Sequence, residues 1–191
     1  MLRDIRHCST QFILFGATGD LSSRLIVPAL FNLYLDGQLP QRFTLWGIGQ
    51  KPWQAEDLAS HLRRGVAEHS RRGAAPEAEW AAFTANLRYL RADLTDDGGY
   101  AHLKERLDAD ERAETDKSQR VFYLAVPPSL FQQVAQGLGK AGLNEDRRTA
   151  RVVVEKPLGH DLDSFRAING TLTRFFLESQ IFRIDHFLGK E

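Results

Sequence analysis

Short apolar runs recur along this chain, and each gives way to a stretch with helical spacing. Gln11-Phe12-Ile13-Leu14-Phe15 stops at Gly16, and similar runs occupy 43–48, 120–126, 151–154 and 180–184, with a weaker one at 87–90. Runs with so little polar alternation fit strands covered on both faces, as in parallel sheets. Between them Leu25, Ile26, Ala29, Leu30, Leu33 and Tyr34 recur at helical spacing, as do Leu130, Phe131, Val134 and Leu138. Further helices are expected over 55–68, 77–84, 99–107 and 163–176. Pro28 falls inside the first helical pattern and predicts a kink or a late helix start. Residues 108–118 are charged and read as mostly exposed. The alternation predicts an α/β fold with a mostly parallel sheet, and right-handed crossovers make it doubly wound.

Bulk properties narrow the function. A chain of 191 residues accommodates one well-buried domain, or one domain and a stub. The charges balance to a net of zero, so a broad basic field for nucleic acid is excluded and anion recognition has to be local. No apolar run approaches the roughly 20 residues that span a bilayer, and the first residues lack the apolar core of a secretory signal. The single cysteine, Cys8, rules out an internal disulfide and a multi-cysteine metal site. No metal and no membrane partner are expected, and a cytoplasmic location is the default.

Three places carry chemistry. Gly16-Ala17-Thr18-Gly19-Asp20-Leu21 joins the first strand to the first helix. Glycine keeps such a turn tight and lets backbone N–H groups approach a pyrophosphate at a helix N-terminus. Ser22 stands where a third glycine completes the usual dinucleotide fingerprint, so an ordinary strand–helix turn is the competing reading. After the second strand, Gly47-Ile48-Gly49-Gln50-Lys51 lacks the acid that favours NAD, which leans toward NADP. Lys156, in Glu155-Lys156-Pro157, follows a buried run at the end of a strand, where open α/β sheets bind ligands. It can donate to a substrate hydroxyl and to the cofactor. In Arg183-Ile184-Asp185-His186-Phe187-Leu188-Gly189-Lys190-Glu191, Asp185 can orient a histidine base, while His186 and Lys190 can bind an anion. Each is an ordinary solvated charge if taken alone. The stretch closes the chain with no turn or cap after it, so the rest of a site is expected outside it. Tyr100 and Lys104 match the Tyr-x-x-x-Lys form of short-chain dehydrogenases. They come too soon after the glycine turn and precede a predicted strand, so they read as an amphipathic helix.

Together, Phe15-Gly16-Ala17-Thr18-Gly19-Asp20-Leu21, Phe122-Tyr123-Leu124-Ala125-Val126-Pro127-Pro128, Glu155-Lys156-Pro157-Leu158-Gly159 and the closing stretch resemble the glucose-6-phosphate dehydrogenase family, in order and spacing, over essentially the whole chain. The resemblance implies a Rossmann-like NAD(P)-binding domain over 1–191 that ends inside the substrate-site motif. The family's second, α+β catalytic domain is expected to be absent. It implies oxidation of glucose 6-phosphate at C1 to 6-phosphogluconolactone, with hydride passed to NADP, in the oxidative pentose phosphate pathway. Gly16, Ala17, Thr18, Gly19, Asp20, Leu21, Gln50 and Tyr123 then line the coenzyme. Lys156 contacts coenzyme and substrate, His186 and Lys190 hold the sugar phosphate, and Asp185 pairs with a histidine base beyond Glu191. Gln50 replaces a common arginine, which keeps NAD open, and Phe187 replaces a common tyrosine. The family usually forms homo-oligomers. This chain alone is expected to bind a dinucleotide without turnover.

Overall fold

A computed structural model describes residues 9–112 and 117–185. Six parallel strands, β1 (Thr10–Phe15), β2 (Phe43–Gly49), β3 (Leu87–Arg91), β4 (Gln119–Leu124), β5 (Ala150–Glu155) and β6 (Ile181–Ile184), form one sheet in the order β3-β2-β1-β4-β5-β6. Helices α1 (Val27–Leu35), α2 (Ala55–His69), α3 (Glu77–Thr84), α4 (Asp97–Arg112), α5 (Phe131–Lys140) and α6 (Leu162–Phe175) connect them. The expected doubly wound α/β architecture is therefore found. The order reverses between β1 and β4, which makes that junction the switch point at which open α/β sheets bind ligands.

Alternation along each strand sorts the core into two layers. Ile13, Phe15, Trp46, Ile48, Phe122, Leu124, Val152 and Val154 pack with Leu103, Leu107, Val134, Leu138, Ile168 and Leu172 of α4, α5 and α6. Leu14, Leu45, Tyr123 and Val153 face the other way with residues of α1, α2 and α3. The central strands are covered on both faces, which accounts for their near-continuous apolar sequence.

The first helical segment explains Pro28. A π-helical turn, Ser22–Ile26, precedes α1, and the Val27 amide donates to the Ser22 carbonyl. Pro28 thus falls in the first turn of α1, directly after the π turn, and the change of hydrogen-bond spacing there accommodates the N–H that proline lacks. The π turn lies close beneath α2. A Cβ on Gly65 would stand 2.1 Å from the Ser23 carbonyl oxygen, so only glycine permits this spacing.

Among the described residues of 108–118, Ala109, Arg112 and Lys117 are exposed as expected, but the mostly exposed reading needs correction at the half-buried Asp108, Asp110 and Glu111 and at the buried Ser118. Helix α4 continues to Arg112, and its last turns present Asp108 and Glu111 to Arg120 of β4, at 2.6 and 2.9 Å. Arg120 Nε also donates to Gln11 at 3.1 Å, while Gln11 Nε2 donates to the Leu107 carbonyl. Ser118 is buried and its hydroxyl bonds Ser9. Spacing of three residues on a helix puts the two carboxylates on one face, and that face meets a mostly buried guanidinium. Burial alone would raise the Asp108 pKa, but hydrogen bonds from Lys104 and Arg120 hold it below its ordinary value.

Gly65→Ala should destabilise the fold by about 1–3 kcal/mol, because the new methyl group meets backbone that cannot rotate away. Urea unfolding followed by circular dichroism measures it, and an unchanged midpoint would contradict the close approach.

Candidate functional site

The glycine turn sits at the switch point. Gly16 has a φ of +80°, and its Cβ, if present, would lie 2.3 Å from the Ala125 carbonyl oxygen at the end of β4. Its amide and that of Ala17 both donate to the Ile48 carbonyl of β2 at 3.0 Å. The Gly19 amide turns back to the Gly16 carbonyl at 2.9 Å, and the Ser22 hydroxyl caps the same carbonyl at 2.9 Å. Ser22 therefore closes the turn from a position where the usual fingerprint has glycine. Gly65 of α2 permits a separate close approach, of that helix to the Ser23 backbone just after the turn, and it carries no signal in the sequence because it lies far from the motif.

Within this turn the amide of Thr18 has no hydrogen-bond partner among the described residues. A partly buried amide at the start of a helical segment favours an anion, so the cradle fits a pyrophosphate. Ala17 is fully buried and Leu21 packs at the edge of the core. Asp20 is exposed and pairs with Arg24 at 3.1 Å, so what it can offer a ligand at this turn is its backbone.

The end of β2 lies beside the turn. A Cβ on Gly49 would fall 2.9 Å from Thr18 Cγ2 and 3.0 Å from the Tyr89 hydroxyl oxygen. That hydroxyl donates to the Lys51 carbonyl at 2.8 Å and pins the chain leaving β2. Burial raises the Tyr89 pKa, with Arg91 opposing it. Gln50 is exposed at the rim, and its carbonyl accepts from Arg91 Nε at 3.2 Å. Lys51 Nζ stands 4.3 Å over the Trp53 ring.

Across the switch point, β5 ends at Glu155 and Lys156 follows it. The Lys156 amide donates to the Ile184 carbonyl at 2.9 Å, and its Nζ lies 3.5 Å from Asp185 Oδ2. The structure thus joins two motifs that are 29 residues apart in sequence. The Lys156-Pro157 peptide bond is cis. Beneath Lys156, the Tyr123 hydroxyl donates to Glu155 Oε1 in a buried contact. Burial pushes the Tyr123 pKa well up, and the Glu155 carboxylate adds to the rise. Its ring packs against Phe12, centroids 5.7 Å apart, so Tyr123 supports the floor of the site from the core. The Glu155 partnership was not read from the sequence; the register sets Tyr123 opposite Val153, and Glu155 stands two residues further along β5 on the same face. Counting strands from β2 to β5 gives three spacings, about 14 Å, the scale of an extended dinucleotide.

Nearby candidates resolve differently. Asp161 caps α6 by accepting from the Ser164 amide at 2.8 Å, and His160 is exposed. The Tyr100 hydroxyl is buried and donates to the Leu94 carbonyl at 3.1 Å, while Lys104 pairs with Asp108 at 2.6 Å. Burial, then Asp97 and Asp93, pushes the Tyr100 pKa far above its ordinary value. Tyr100 and Lys104 therefore form no catalytic pair. Cys8, His186, Phe187 and Lys190 lie outside the described residues.

Comparison with known proteins places this arrangement. The model of the glucose-6-phosphate dehydrogenase NAD binding domain family matches residues 13–191. The glucose-6-phosphate 1-dehydrogenase of Bacillus subtilis (strain 168) is 36% identical over 179 residues, covering 94% of this chain and 35% of that enzyme. That of Aggregatibacter actinomycetemcomitans is 37% identical over 180 residues, covering 94% of this chain and 36% of that enzyme. A solved glucose-6-phosphate dehydrogenase in complex with its substrate glucose 6-phosphate superposes with a TM-score of 0.88 at 35% identity, over 100% of this chain and 39% of that one. A short-chain dehydrogenase from Streptomyces avermitilis, at TM-score 0.50 and 13% identity over 93% of this chain and 64% of that one, shares the fold alone. The chain spans about a third of the length of the curated relatives it matches.

Tyr123→Phe removes a buried donor from Glu155 and should cost about 1–3 kcal/mol of stability. Chemical unfolding compared with the unchanged chain tests this, and equal stability would show that the contact carries nothing.

Proposed function

This chain belongs to the glucose-6-phosphate dehydrogenase NAD binding domain family, and on that premise we propose that residues 1–191 are the coenzyme-binding part of an enzyme that oxidises glucose 6-phosphate at C1. The observation that carries the proposal is the gathering of the glycine turn and the Lys156–Asp185 pair on the carboxyl edge, on either side of the switch point. NADP is the preferred coenzyme in this reading, since no acid stands at the end of β2. When bound, the coenzyme supplies the hydride acceptor.

The chain's own residues divide the remaining work. The Thr18 N–H, left open by the turn, holds the pyrophosphate with the Thr18 hydroxyl beside it, while Gly16 and Gly19 keep the turn tight enough for that approach. Tyr123 and Glu155 support the strand ends beneath the nicotinamide side. Lys156 donates toward the C1 hydroxyl oxygen, stabilises charge as its proton leaves, and touches the coenzyme. Asp185 positions the Lys156 ammonium and orients a histidine base supplied from outside these residues. His186 and Lys190 grip the sugar phosphate, which fixes the ring far from the bond that breaks. Phe187 offers the phosphate no hydroxyl. The full enzyme is read as a cytoplasmic homo-oligomer.

A second reading applies to the 191-residue polypeptide by itself: a dinucleotide-binding module without turnover. It is favoured by the share of its relatives that the chain spans, 35%.

Purified chain should bind NADP saturably, and Gly16→Ala should weaken that binding by roughly tenfold or more. Calorimetry measures both, and no saturation at millimolar coenzyme would overturn the coenzyme reading. With glucose 6-phosphate and NADP the chain alone should yield no NADPH by absorbance. Steady production would contradict the second reading.

A further inference from the structure

Gln50 leaves the end of β2 without the cation that a 2′-phosphate needs, yet the rim of the site does not lack one. Arg91 ends β3, and the register pairs it with Gly49 of β2. The next amide, Ala92, donates to the Gly49 carbonyl at 2.9 Å, so the backbone on both sides is fixed. The Arg91 side chain is exposed and reaches back, with Nε 3.2 Å from the Gln50 carbonyl oxygen. That single bond orients the guanidinium over the β2 exit and uses one of its five N–H donors. Arg91 makes no ion pair among the described residues. The carboxylate nearest in sequence, Asp93, is occupied by its own turn, accepting from the Thr95 amide at 2.9 Å and hydroxyl at 2.8 Å.

Lys51 adds to the field. Its ammonium rests 4.3 Å over the Trp53 ring, a contact that holds a cation without neutralising it. His61, whose ring lies 5.3 Å from that of Trp53, responds to these surroundings. Burial lowers its pKa first, and Lys51 and Arg64 lower it further.

We propose that Arg91, borrowed from the neighbouring strand and assisted by Lys51, is the residue that selects a 2′-phosphorylated adenosine in place of the arginine that Gln50 replaces. The proposal rests on the coenzyme reading given above. A phosphomonoester is close to dianionic at neutral pH, and an arginine fork matches two of its oxygens. A plain 2′-hydroxyl gives that fork little to hold. Arg91 is thus a specificity residue that touches the coenzyme far from the reacting carbon.

Calorimetric titration of the chain with adenosine 2′,5′-bisphosphate and with 5′-AMP, alongside NADP and NAD, tests this without turnover. The unchanged chain should bind the bisphosphate at least roughly tenfold more tightly than 5′-AMP. Arg91→Gln should weaken bisphosphate and NADP binding by roughly tenfold to a hundredfold and leave 5′-AMP and NAD within about twofold. Arg91→Lys should fall between, because it keeps the charge and loses the fork. Lys51→Gln should show a smaller loss of the same selectivity, and serves if the Arg91 variants fail to fold. Equal losses for both probes would assign Arg91 to stacking on the adenine and overturn the proposal, as would unaltered selectivity. Binding of NAD and NADP with equal affinity by the unchanged chain would overturn this proposal and the NADP preference, and leave the dinucleotide site itself standing. Failure to bind any of the four would bring down the coenzyme reading with it.

Discussion

The whole site hangs on one close contact, the passage of Gly16 beneath the end of β4. Its backbone is bonded to β2 through the Ile48 carbonyl, while its α-carbon lies against the Ala125 carbonyl. A side chain there would force β1 and β4 apart at the place where the sheet reverses its winding. The positive φ adds a second reason for glycine. Because the strand pairing and the turn share this residue, the path of the chain into its first helix follows from it. So does the direction in which the Thr18 amide is left open.

The far flank of the site depends on a different kind of contact. Lys156 is exposed enough to meet a ligand, but its position is set from two sides. Its amide extends the ladder to β6, and its ammonium faces Asp185. Below it, the buried Tyr123–Glu155 hydrogen bond ties the end of β5 to β4. A polar pair this deep is stable only while both members remain bonded, so the support under Lys156 is rigid for the same reason that it is vulnerable. Arg91 with Lys51 gives a neutral chain a local positive region at the β2 end of the carboxyl edge, whereas the charge of Lys156 at the other end is met by Asp185.

Much of this was legible in the sequence. Apolar runs without alternation disclosed the covered central strands, and the change to helical spacing after each disclosed the crossovers. Pro28 indicated a disturbed helix start, realised as a π turn. The glycine turn and Lys156 declared themselves through their places at strand ends. What stayed hidden depends on contacts between distant segments. Residues 108–118 looked like solvated charge because one sequence cannot show that Arg120 waits opposite two of the carboxylates. Gly65 carries no local signal, since its need arises from Ser23 on another element. Arg91 reads as an ordinary terminal charge until strand order sets it beside Gln50. Lys156 and Asp185 belonged to separate motifs, and only the pairing of β5 with β6 brings them together.

The central claim is that the coenzyme lies across the carboxyl edge, from the end of β2 to the end of β5. Amide NMR shifts of the isotopically labelled chain during an NADP titration test it most directly. The account predicts saturable shifts at Thr18, Gly19, Gly49, Arg91 and Lys156, all with one dissociation constant. Saturable shifts confined instead to the opposite rim, around Ser9, Phe43, Arg88 and Ser118, which line a cavity there, would contradict it.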